Sequence, residues 1–186
     1  LRNVITSLCY ILAKFKTNVI VHEVDSESVF AESALPQITE FLDGDVGDLK
    51  HIFEQSDAPS FHRQRVLNDM IMMSTTKVVV NYDCDVILPR ETYQHAYEII
   101  NNDHADVIYP YGDGNWQYQV FADDELVTEF LTNDFNIKIL NKKTKVYMSK
   151  YGFCQFFNRD VYIEGGLENE NFVAYAPEDV ERYHRF

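Results

Sequence analysis

The chain has 186 residues, 46% of them hydrophobic and 14% aromatic, which is enough for one domain with a sizeable core and too apolar for global disorder. A formal net charge of −14 argues against a nucleic-acid backbone or an anionic membrane surface as partner, since no basic stripe exists to neutralise phosphates. No apolar run is long enough to span a bilayer and no signal-peptide pattern opens the chain; three widely spaced cysteines, Cys9, Cys84 and Cys154, do not support a zinc site and lead us to expect a reduced, cytoplasmic setting.

Leu1 to Phe15 reads as an amphipathic helix, with Val4, Leu8, Ile11 and Leu12 at helical spacing. Thr17 to Asp25 reads as a strand ending on an acid. Ser26 to Asp57 is the least legible third, with broken helical pieces such as Leu49 to Phe53 and with Pro36 and Pro59 as punctuation. Ser60 is the expected N-cap of a helix over Phe61 to Ser74, in which Met70, Met72 and Met73 read as core filler. Lys77 to Tyr82 is a strand whose three valines, Val78 to Val80, suit burial on both faces. A helix over Arg90 to Asn102, a short strand at Asp106 to Tyr109, a Pro- and Gly-rich loop, a strand at Trp116 to Phe121 and a helix over Asp123 to Asn133 follow. Gly152 to Asn158 is a further strand, Arg159 to Glu164 a short helix, and Pro177 opens a final helix. This alternation predicts a single α/β domain over residues 1–186 with a mainly parallel central sheet flanked by helices. Ligands in such sheets bind beyond the carboxyl ends of strands, where Asp25, Asp83 and Asp85 all fall.

Asp83 and Asp85 flank Cys84 just after the valine strand. Two carboxylates at i and i+2 can share a hard divalent cation such as Mn2+ or Mg2+, with diphosphate oxygens and water completing its shell, and an acidic protein could hold a nucleotide diphosphate in that way. A turn device, in which the same side chains bond to nearby backbone, uses the same spacing. Near the end, Gly165 and Gly166 allow close approach, Asn169 and Glu170 follow in a polar loop, and Glu178 and Asp179 fall in the first turn of the last helix. Acids there suit the helix dipole, and they equally suit a general base on a cleft floor. Tyr109, Tyr111, Trp116 and Tyr118 either stack on an acceptor sugar or cover the sheet. His62 and Arg63 either approach a diphosphate or form a solvated helix start.

Three segments together carry a resemblance: FHRQRVLND, NYDCDVILP and FFNRDVYIEGGLENENFVAYAPEDVERYHR. In order and spacing they resemble the GT-A fold nucleotide-sugar glycosyltransferases, most similarly glycosyltransferase family 2 and the galactosyltransferase-like C-terminal motif. The likeness runs from about residue 17 to the end. It implies a nucleotide-diphospho-sugar transferase fold and a UDP-linked donor whose sugar passes to a hydroxyl of a glycan or other acceptor, as in polysaccharide biosynthesis. It implies Asp85 as a metal ligand, Asp83 on the metal or the ribose, and Asp25, Arg65 and Asn68 around the base. Gly165 and Gly166 would line the donor sugar; beside such a sugar site Tyr111 and Trp116 are the aromatics whose own chemistry suits an acceptor ring. Asp179 would be the catalytic base of an inverting displacement, with Glu178 binding a sugar beside it.

The chain departs from that pattern in three places. Its first strand, with the usual nucleotide-binding segment, is expected to be missing, and Leu1 in place of Met fits an excised piece. The further His ligand usual beyond the Glu-Asp helix has no equivalent before Phe186, so His184 reads as a surface histidine. Glu168 is one residue more than the motif has between Gly166 and Asn169. Two other functions share this fold type. A sugar-nucleotide pyrophosphorylase would need a Gly-rich phosphate loop near an early strand, which the sequence lacks, and a catalytically inactive carbohydrate-binding domain would leave UDP-sugars intact.

Overall fold

The computed structural model describes residues 1–111, 117–147, 151–173 and 177–186. Helix α1 (Arg2–Lys14) buries Thr6 to Tyr10, with Val4, Ile11 and Leu12 packed alongside. Strand β1 (Asn18–Asp25) pairs in parallel with β2 (Asp48–Gln55), Asn18 facing Asp48 and Asp25 facing Gln55. Between them a π-helical turn at Phe30–Ala34 runs into α2 (Leu35–Phe41). Pro36 lies in the first turn of α2, directly after the π-helical turn, and the helical run passes through it without breaking. The helical reading of Leu49 to Phe53 is corrected. Leu49, Ile52 and Phe53 do have helix-like spacing, but the ladder to β1 makes the segment a strand.

Helix α3 (Arg63–Met73) is capped by His62, whose Nδ1 accepts the Arg65 N–H at 3.3 Å, in place of the expected Ser60. Ile71 enters the core, while Met72 and Met73 are 56% and 42% exposed, so the core-filler reading fails for both. Strand β3 (Val78–Tyr82) buries Val79 and Asn81 on one face and leaves Val80 37% exposed; it is not buried on both faces.

Helix α4 (Arg90–Asn101) leads to β4 (Val107–Ile108). An excursion follows through β5 (Gln117–Val120), α5 (Asp124–Thr132), α6 (Ile137–Leu140) and β6 (Thr144–Tyr147), with β5 and β6 antiparallel. The chain then returns as β7 (Cys154–Asn158), with α7 (Arg159–Glu164) and α8 (Glu178–Arg185) after it.

The architecture is α/β, but the mainly parallel central sheet is corrected. β7 lies between β3 and β4 and is antiparallel to both, with Val78 facing Asn158 and Val107 facing Phe157. The reason lies in the excursion. It leaves from the end of β4 and returns at the end of β3, where Tyr82 faces Cys154, so β7 must run back.

Adjacent residues of β7 serve opposite faces. Phe156 joins a cluster with Leu8, Tyr10, Ile38, Ile100 and Phe130 from the helices. Phe157 joins Ile71, Val79 and Tyr162 on the other side, its ring stacked on Tyr162 at 4.1 Å. Each fully buried ring of this kind contributes about 1.5–3 kcal/mol by burial alone. Cys9 and Cys154 are buried and Cys84 is exposed, all three free. Among the described residues no helix is long and apolar enough to cross a membrane.

Candidate functional site

The segment after β3 is held by hydroxyls from three elements. Ser7 Oγ of α1 donates to the Cys84 carbonyl at 2.5 Å and Tyr10 OH to the Leu88 carbonyl at 3.0 Å. Tyr82 OH donates to the Val86 carbonyl, and Tyr93 OH of α4 accepts the Leu88 N–H at 2.9 Å. A segment without regular structure is thereby fixed in place, which a ligand-binding turn requires.

Asp83 sits where β3 ends against the start of β7. Its N–H donates to the Phe153 carbonyl at 2.8 Å, and its Oδ2 accepts the Phe153 N–H at 3.2 Å. Its other oxygen accepts from Arg63 Nη2 at 2.5 Å. Arg63 also reaches Glu178 Oε1 at 3.6 Å, so one guanidinium at the start of α3 joins the early acidic pair to the late one. Burial pushes the Asp83 carboxyl up, the Arg63 charge opposes this, and Asp179 and Asp85 add repulsion that leaves it above its ordinary value. Asp85 is exposed and makes no side-chain hydrogen bond or ion pair among the described residues.

Asp179 has its own enclosure. Its Oδ1 accepts from Arg182 Nη1 at 2.7 Å, and its Oδ2 lies where a side chain on Gly152 would be: a Cβ there would meet it at 2.7 Å. Gly152, at φ +90°, accepts at its carbonyl from Tyr111 OH at 2.7 Å and from the Gln155 amide.

Arg182 is wholly buried and gives Nε and Nη2 to the two oxygens of Glu168, at 2.5 and 2.7 Å. Glu168, 3% exposed, also accepts from Tyr162 OH and from Asn81 Nδ2 at 3.0 Å. Burial would raise the Glu168 carboxyl, but the Arg182 bonds and charge and the Tyr162 hydroxyl outweigh it and hold the group below the usual carboxylate range.

The remaining expected residues fall elsewhere. Asn68 bonds the backbone of Glu168 twice, through Oδ1 to its N–H at 2.8 Å and Nδ2 to its carbonyl at 3.0 Å, and also reaches Glu170. Arg65 is engaged by Glu54 of β2 and by Asp69, and the Asp25 carboxylate accepts, among the described residues, from its neighbour Ser26 in a local turn. Gly165 and Gly166 close α7 and pack at the far end of α8 from Asp179. There the Phe186 ring fills the space a Gly165 side chain would need, and Arg185 bonds the Gly165 carbonyl at 2.6 Å. A cleft of about 480 Å³ opens there, lined by Asn68, Gly165, Gly166, Glu170, Glu181 and Arg185, and neither Asp83 nor Asp85 borders it. Tyr111 lies beside Phe153, ring centroids 5.8 Å apart, while Trp116 is outside the described residues. His184 is exposed.

Sequence reading missed Glu168, Arg182, Gly152, Asn81 and Gln155. Two of them had a signal: Asn81 after three valines, and Gln155 inside an otherwise apolar strand, are polar residues that a buried strand places only where partners wait.

Among the described residues no three or more His, Cys, Asp or Glu side chains converge as a metal centre. Asp83 and Asp85 offer oxygen donors of the kind Mg2+ and Mn2+ take; both Asp83 oxygens are engaged, by Arg63 and by the Phe153 N–H, and Asp85 makes no side-chain bond among the described residues. Arg63 contacts both Asp83 and Glu178, and the Asp179 charge acts on Asp83, while Arg65 is occupied by Glu54 and Asp69. No known family model and no curated protein matches the chain.

Proposed function

We propose that the protein is a GT-A type, metal-dependent glycosyltransferase that moves a sugar from a UDP-linked donor to an acceptor hydroxyl with inversion. One observation supports it most: Arg63 ties Asp83 to Glu178 while Asp179 stands close enough to raise Asp83, so two acidic pairs far apart in sequence meet at one strand edge. Carboxylates gathered this closely repel unless a cation is shared among them.

In this reading Asp85 and Asp83 hold the cation. When bound, the cation neutralises charge on the departing diphosphate. Arg63 moves from Asp83 onto a diphosphate oxygen. Asp179 accepts the proton of the acceptor hydroxyl as that oxygen bonds to the anomeric carbon, and the bond from that carbon to the diphosphate breaks with its electron pair leaving on UDP. A side chain 32% exposed can meet a substrate, and attack opposite the leaving group inverts the centre.

Calorimetry of the full-length protein with UDP, with and without Mn2+, tests the reading alongside a screen of nucleotide sugars for donor hydrolysis. Mn2+-dependent binding that Asp85→Ala abolishes is expected; no binding and no hydrolysis of any donor would overturn it. A second reading, a domain that binds carbohydrate without turnover, is favoured by the occupied state of both Asp83 oxygens. It predicts glycan binding with every UDP-sugar left intact.

A further inference from the structure

We propose that Glu168 and Arg182 are the positioning pair of Asp179, an assignment that rests on the glycosyltransferase reading. A guanidinium is a rigid planar fork, so two bonds to one carboxylate fix the direction of its remaining N–H groups. Arg182 spends Nε and Nη2 on Glu168, at 2.5 and 2.7 Å, and this aims Nη1 at Asp179 Oδ1, 2.7 Å away. Glu168 cannot turn in response. Its backbone is held on both sides by the Asn68 amide, and its carboxylate by Tyr162 and Asn81.

The fixation therefore runs from α3, through the turn after α7, to a carboxylate on the first turn of α8. Its two inner members are closed to solvent, and its last is open to it. Arg182 Nη1 also reaches Gln155 Oε1 at 3.4 Å, and Asp179 lies three residues before Arg182 on the same helix, so the contact with the acid is short as well as directed. Gly152 completes the geometry by leaving space for the second Asp179 oxygen. Glu168 is the residue by which this chain exceeds the motif it resembles, and here it is the anchor of the arrangement.

The test measures donor hydrolysis in the full-length protein with Mn2+, as turnover per UDP-binding site counted by calorimetry, so that a smaller folded fraction does not register. In the double variant Glu168→Gln/Arg182→Met, which removes both charges together, turnover per site is expected to fall by about 100-fold with donor KM within about twofold, the size of effect that misplacing a reacting group produces. Arg182→Lys, which keeps the charge and loses the fork, is expected to fall between the double variant and wild type. Should the double variant lose UDP binding with its fold, Arg182→Lys decides alone. Turnover per site within about twofold of wild type would overturn the assignment and leave the pair a structural one. A wild-type protein inert towards every donor would instead overturn the glycosyltransferase reading, and this inference with it.

Discussion

The Glu168–Arg182 pair, tied to β3 through Asn81, and the Asp83–Asp85 turn just past the end of that strand are two charged places that treat charge in opposite ways. At Glu168 every oxygen is answered from within the chain, by Arg182, Tyr162 and Asn81, and water is shut out. At the turn, Asp83 has one cation shared with Glu178, and Asp85 has none among the described residues. A closed ionic network holds a structure in one arrangement, whereas carboxylates with few partners of their own are open to an added one. Substitutions can break the contrast at either end.

The largest effect is expected at the closed end. Arg182→Ala leaves Glu168 buried without its counter-charge, which costs about 3–5 kcal/mol in similar sites, and urea unfolding of the variant would measure it. Because the Glu168 carboxyl is held below its ordinary value in the fold, its contribution is complete above the unfolded glutamate range and is lost as pH falls through the lower folded value. Unfolding free energy should therefore fall on acidification, with a slope that Glu168→Gln reduces. An unchanged slope would mean that other carboxylates dominate acid unfolding.

How legible these places were in the sequence follows from the kind of information each needs. α1, β1, β3, α4 and β7 were legible because their apolar periodicity is local and the core rewards it. β2 was not, since DLKHIFEQ fits two periods and only pairing with β1 decides between them. Strand direction was not legible either, because alternation of strands and helices says nothing about where the excursion between β4 and β7 re-enters the sheet. The open acidic pair was visible as two aspartates after a buried strand. The closed pair was invisible, because Glu168 sits among Asn and Glu residues that read as a polar loop and Arg182 on a short helix crowded with charged residues. Their partnership exists only after the turn at Gly165 and Gly166 folds back on α8.

A smaller effect is expected between the two places. Gly152→Ala requires a side chain at φ +90°, where an L-residue is strained by about 1–2 kcal/mol, and it drives a methyl group into Asp179 Oδ2. The melting temperature should fall modestly. Turnover should fall much further if Asp179 is the proton acceptor, because the displaced atom is the reacting carboxylate itself. Equal losses in stability and turnover would indicate that Gly152 serves the backbone alone.

The smallest structural effect, and the sharpest separation, is expected at the open end. Asp85→Asn removes one charge from an exposed side chain without a hydrogen-bond partner among the described residues, so no contact among them is lost. Its melting temperature without metal should match wild type, or rise slightly as repulsion on Asp83 is relieved, since the Asp85 charge is one of the forces pushing that carboxyl up. Binding of UDP in the presence of Mn2+ should weaken by tenfold or more, because a neutral amide oxygen is a poorer ligand for a hard cation than a carboxylate. The two results together discriminate where either alone does not. Unchanged stability with lost metal-dependent binding marks a residue kept for a ligand, whereas lost stability with unchanged binding would make the Asp83–Asp85 turn a structural cap and leave the two acidic places alike.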